Sequence, residues 1–192
     1  LTRPPPIPPP DVSSAASDVY KRQISGTQFY GNDCSLLGSD LVFPNKNLYT
    51  SILFSNFFHA NFVHILGNLW SFWIFGNNVE DKLGKIKFFI FLLFIAFLSI
   101  GVHTVLNFDS LIPVVGASGI VSGIMGAYVY LFPNAKLLVL VPFGILFPTT
   151  IKARTFMYFW FISQIFIAIG SSNISWEAHI GGFILGLSLI HI

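Results

Sequence analysis

The chain has 192 residues, of which 54 % are hydrophobic and 9 % charged, with 22 phenylalanines and a formal net charge of +2. Soluble domains carry about 25 % charged residues, so this composition excludes an ordinary soluble domain, and the near-neutral balance gives no electrostatic footprint for nucleic acid. Cys34 is the only cysteine, which leaves no internal disulfide to form. In chain order, residues 1–23 are proline-rich, then small and polar, without apolar periodicity. They read as a non-native or disordered tail, and the closing run 187–192 reads as a second foreign stretch. Residues 24–58 are too polar for a membrane span and read as an outer loop region. Residues 59–192 then form a transmembrane domain.

A spanning helix needs about 20 mostly apolar residues, and five segments qualify. They lie at about 60–77, 86–106, 114–132, 153–170 and 177 to the end. The second is almost purely Phe, Ile and Leu apart from His103, and the third is rich in small residues and ended by Pro133. The run 137–147 holds Pro142 between Pro133 and Pro148, and reads as an interfacial or cytoplasmic loop. Lys82, Lys85 and Lys87 fall between spans one and two, and Lys136, Lys152 and Arg154 between spans three and four. The opposite loops hold no Lys or Arg, so the positive-inside bias puts all six cations on the cytoplasmic side. Spans one, three and five then begin on the non-cytoplasmic side. His59, His64, Asn68, Ser118 and His179 all sit in those beginnings and gather in one leaflet.

A serine and a histidine at the same end of two spans are the two groups needed for an activated nucleophile. Intramembrane ionisable groups point to function by default. Ser118 stands in Val-Gly-Ala-Ser-Gly and His179 in Glu-Ala-His-Ile-Gly-Gly. His64 and Asn68 are i and i+4, so they share a helix face, and a His edge with an Asn amide can donate to a developing oxyanion. The same pair also reads as polar glue between helices. Gly116, Ser118, Gly119, Ser122, Gly123 and Gly126 form a small-residue pattern that ordinarily marks close helix packing. Gly182 and Gly186 make a matching face, one turn beyond His179, so close packing of the two spans would bring Ser118 to His179. No carboxylate is placed to orient His179, because Glu177 is only two residues away and points elsewhere on a helix. The chemistry is therefore that of a Ser–His dyad. No cofactor and no metal is implied: His59 and His64 lack the i, i+4 spacing or third ligand of a zinc site.

His59, His64 and Asn68, then GASG around Ser118, then AHIGGFILG around His179 resemble the rhomboid family of intramembrane serine proteases. The run Val79–Gly84 resembles that family's loop after its second helix, and the likeness covers about residues 50–186. It implies an all-α membrane protein, a rhomboid-like helical bundle with five of the usual six transmembrane helices, the first being lost from a fragment. It also implies roles: Ser118 as nucleophile, His179 as general base, and His64, Asn68 and the Ser118 backbone N–H as oxyanion hole. Gly116, Ala117 and Gly119 would shape the serine loop, His59 would support the polar cluster, and Gly182 and Gly186 would let the last helix pack. Three positions depart from the family. Thr50 and Ser51 stand where many members have Trp-Arg, and Ser122 stands where some have an aromatic that stacks on the histidine.

The expected function is a serine endopeptidase that cleaves transmembrane substrate proteins near the non-cytoplasmic face of the lipid bilayer. Its location is expected to be multi-pass in a prokaryotic plasma membrane. Substrate entry is expected beside the span with Phe156, Phe159, Trp160 and Phe161, or at the loop before it. The alternative is an inactive rhomboid-like protein that binds transmembrane clients. A proton-relaying channel or transporter is a weaker alternative, because the polar residues do not continue to the other face.

Overall fold

The computed structural model describes residues 48–107, 114–143, 145–170 and 174–191. The expected tail over 1–23, most of the outer loop region and Cys34 lie outside the described residues. The elements are α1 (Leu48–Ser55), α2 (Phe62–Leu83), α3 (Lys85–Leu106), α4 (Ser118–Leu131), β1 (Lys136–Phe143), β2 (Ile145–Lys152), α5 (Ala153–Gly170) and α6 (Trp176–Leu189).

Local chemistry sets several of these boundaries. Asn61 caps α2, its side chain accepting the His64 backbone N–H at 2.9 Å, as an N-cap residue does. Gly84 both ends α2 and opens α3. Its φ of 77° is in the left-handed region, where glycine is free of the Cβ penalty, and its N–H returns to the Glu80 carbonyl at 2.7 Å. The run Val79–Leu83, expected in a loop after a span over 60–77, is therefore helical, and Val79 is fully buried in the core. Helix α4 ends at Leu131, with Pro133 following, because proline supplies no N–H for a further turn.

Two other expectations change. The outer loop region ends in a helix, α1, whose Ile52 packs with Ile100 and Val114. The run expected as a plain loop over 137–147 belongs to an antiparallel β-hairpin, with Lys136 opposite Lys152 and Leu140 opposite Pro148. Two short strands each leave a free edge, which is where prolines are tolerated. The hairpin is closed at its base by Ala153 N–H to Ala135 O at 2.8 Å. Residues 187–189 continue α6, Leu189 and Ile190 pack on the main core, and the His191 ring meets Tyr130 at 4.3 Å.

Helices stand at all five places where spans are expected. By length and hydropathy α3 and α5 are able to cross a membrane, while α4 is a shorter apolar helix of 14 residues. The outward surface is apolar, with Trp73, Ile86 and Ile169 all more than 70 % exposed. A surface of this kind suits lipid contact.

The centre of the bundle is α4, buried almost throughout from Gly119 to Tyr128. It runs parallel to α6 at backbone contact: Gly182 lies against the Gly119 carbonyl, Gly186 against the Gly123 carbonyl, and Gly126 against the Phe183 carbonyl. Only residues without a Cβ permit that approach. On another side α3 runs antiparallel, with Ile95 over Gly123 and Val102 over Gly181. Below this contact the core is closed by Val79, Ile95, Ile124 and Met157, all essentially unexposed. The site residues stand at one end of the bundle, at the starts of α2, α4 and α6. Lys82, Lys85, Lys136, Lys152 and Arg154 stand at the other.

Candidate active site

The close α4–α6 contact carries its two N-termini to one height, and the two polar residues there meet. His179 Nε2 lies 2.8 Å from Ser118 Oγ. On the far edge of the ring, His179 Nδ1 lies 2.7 Å from Oε1 of Gln164, on α5. Gln164 is 4 % exposed, and its amide nitrogen is turned the other way, toward Ser163 Oγ at 3.2 Å and the Trp160 carbonyl at 3.4 Å. That orientation presents an oxygen to His179, so Nδ1 carries the proton and donates it. Nε2 is left with a lone pair to accept the Ser118 hydroxyl proton. An acceptor that selects the tautomer is what a general base of this kind needs.

Gln164 is the residue that sequence reasoning missed. Its signal was present, an amide among Phe and Ile in an apolar span, which a membrane tolerates only where the amide finds a partner. Gln164→Leu keeps the volume and removes the acceptor. The expected result is a fall of roughly tenfold to a hundredfold in serine-probe labelling, with the melting temperature nearly unchanged. Labelling at the original rate would remove Gln164 from the site.

The serine loop is shaped by Gly116, at φ 109°. A Cβ there would sit 2.6 Å from His64 Cε1 and 3.6 Å from Asn68 Nδ2, so glycine is required twice, for conformation and for space. The Gly116 N–H donates to the Ser55 carbonyl at 2.9 Å, which ties the loop to the end of α1. Ser55 and Asn56 are in turn buried and bonded back to Ile52 O. Ala117 precedes α4 at its N-cap position, which leaves the Ser118 N–H among the first-turn amides without an intrahelical acceptor. Asn68 is 9 % exposed, and its Nδ2 is buried with no hydrogen-bond partner among the described residues. A buried donor without an acceptor is costly, and Asn68 lines the same cavity as Ser118. His59 stacks edge-on to His64 at 5.0 Å, with its Nδ1 3.1 Å from Phe57 O.

Glu177 does point away from His179. It meets His103 on α3, and among the described residues no carboxylate bonds to His179. Ser122 turns its hydroxyl back to the Ser118 carbonyl at 2.7 Å. The aromatic neighbour of His179 comes instead from α5, where Trp160 lies with ring centroids 6.4 Å apart. His64, Asn68, Ser118, Trp160, Gln164 and His179 line one cavity of about 1020 Å³, large enough to take an extended peptide segment.

Residues 46–192 match the family model described as Rhomboid domain. Over 95 residues the chain is 34 % identical to Rhomboid protein 1, mitochondrial, of Saccharomyces cerevisiae; the match spans 47 % of this chain and 28 % of that protein.

Proposed function

The chain belongs to the rhomboid family of integral membrane proteins, and on that premise we propose that it is an intramembrane serine endopeptidase using a Ser118–His179 dyad. The observation that carries this reading is the line of hydrogen bonds from Gln164 through His179 to Ser118, at 2.7 and 2.8 Å. His179 Nε2 takes the hydroxyl proton as Ser118 Oγ attacks a substrate backbone carbonyl. The oxyanion is met by His64, Asn68 Nδ2 and the Ser118 N–H. His179 then returns the proton to the leaving amine, and water repeats the sequence on the acyl-enzyme.

The short central helix supports a site below the membrane surface. Fourteen residues rise about 21 Å, against a hydrocarbon core of about 30 Å. A helix anchored at the cytoplasmic end therefore starts several ångströms beneath the opposite face, and the cavity gives water a route to it. A helical substrate shields its own amides, so small or helix-breaking residues near the cleaved bond are favoured. The substrates are transmembrane proteins. The expected prokaryotic plasma membrane is not supported, since the relative is mitochondrial by name; what the family supports is an integral membrane location.

The test is labelling by a fluorophosphonate probe and cleavage of a transmembrane reporter in liposomes. Protein that is folded but takes up no probe would favour the inactive client-binding alternative. Within the same assay, Asn68→Ala is expected to lower the turnover rate about 10²–10³-fold, as loss of one oxyanion donor does. Stability should hold or rise, because the donor removed has no partner among the described residues. A variant that loses stability and keeps its rate would make Asn68 polar glue.

A further inference from the structure

His103 and Glu177 take no part in the chemistry above, yet they form a buried hydrogen-bonded pair, Nδ1 to Oε2 at 3.1 Å, with side chains 8 and 9 % exposed. Glu177 stands in the first turn of α6, two residues before His179. Two residues turn a helix by about 200°, so the two side chains leave opposite faces. One face is tied to α3 while the other presents the imidazole to Ser118. The N-cap residue Ser175 gives this turn no side-chain hydrogen bond. The packing around it is smooth: Ala178 O near Gly119, Gly181 against Val102, and Gly182 against the Gly119 carbonyl. Small-residue contacts hold two helices at a distance, but they resist rotation and sliding weakly. A directional hydrogen bond in a low-dielectric interior resists both. Because His179 is on the opposite face, any rotation of the turn moves it directly.

We propose that His103 and Glu177 are a positioning pair that anchors the first turn of α6 to α3 and so sets His179 Nε2 against Ser118 Oγ, an inference that rests on the dyad reading above. Small misplacements of a base are expensive in rate.

The experiment compares Glu177→Ala with Glu177→Gln in fluorophosphonate labelling. The alanine variant is expected to label roughly tenfold to a hundredfold more slowly, through the maximal rate, with the half-saturating probe concentration unchanged. The glutamine variant keeps an oxygen for the His103 N–H and should retain most of the rate. Wild-type labelling by the alanine variant overturns the proposal. So does a glutamine variant as slow as alanine, because charge and not placement would then be the cause. Should the alanine variant fail to fold, Glu177→Met fills the space without an acceptor and takes its place. A Cys34→Ser, Ser118→Cys background asks the same question without hydrolysis, since iodoacetamide alkylation of the introduced thiol reads how closely His179 assists it. Slower alkylation on adding Glu177→Ala supports the anchor, and an unchanged rate overturns it. If the wild type takes up no probe while this background still responds, the protease reading falls and the positioning pair stands.

Discussion

Ser118→Ala is expected to abolish probe labelling and to lower reporter cleavage by at least about 10⁴-fold, with the fold unchanged. In the proposed mechanism the hydroxyl oxygen is the attacking atom, and no other serine, threonine or cysteine side chain hydrogen-bonds to the His179 ring among the described residues. His179→Ala should cost a similar factor. Without the imidazole 2.8 Å from Oγ, the hydroxyl keeps its proton and is a weak nucleophile. The double variant should be hardly slower than either single one, because nucleophile and base act as a unit and their losses do not add. The measurement is initial cleavage rate in liposomes alongside probe uptake. Multiplicative losses in the double variant, or substantial cleavage by Ser118→Ala, would show that a different group does the work.

Gly186→Val is expected to be the most damaging single change to the fold. A Cβ at this position meets the backbone carbonyl of Gly123. Backbone in the middle of a buried helix cannot swing aside as a side chain can. Over-packing ordinarily costs about 1–3 kcal/mol; here α6 must separate from α4, so a loss at or above the upper figure is expected. Separation also draws His179 off Ser118, so labelling should fail together with stability. Gly101→Ala is the control. It lies within α3 with nothing within 4 Å of an added Cβ, and replacing an unneeded helical glycine is worth about 0.5–1 kcal/mol in its favour. Melting curves in detergent read both variants. A Gly186→Val protein as stable as the wild type would mean that α4 and α6 do not meet through their backbones.

Much of this arrangement is legible in the order of the amino acids. The small-residue rows Gly119/Gly123 and Gly182/Gly186 announce two helices able to touch, and they touch at those positions. The helix at each expected span follows from apolar runs that have no alternative in lipid but to satisfy their backbones internally. The errors have physical causes as well. Val79–Leu83 looks like a loop because Glu80, Asp81 and Lys82 are polar, yet a helix can end as late as its C-cap, and Gly84 supplies one only there. The hairpin over 136–152 carries two prolines and no clean alternation, so periodicity does not reveal it. Strand pairing is a property of two segments and not of either one.

By itself the sequence determined that this is a membrane protein, where five of its helices lie, which ends of them are polar, and that a serine and a histidine share one end. Those facts depend on composition and on spacing along one helix, which the chain carries locally. Only the tertiary structure decided what surrounds Ser118 and His179: that Gln164, from a third helix, meets His179 Nδ1, that Trp160 lies beside the imidazole, and that Glu177 turns to His103. A hydrogen bond between residues 15 or 74 positions apart depends on how the helices rotate about their axes. That rotation is fixed by the packing of every face at once and has no signature in any single segment.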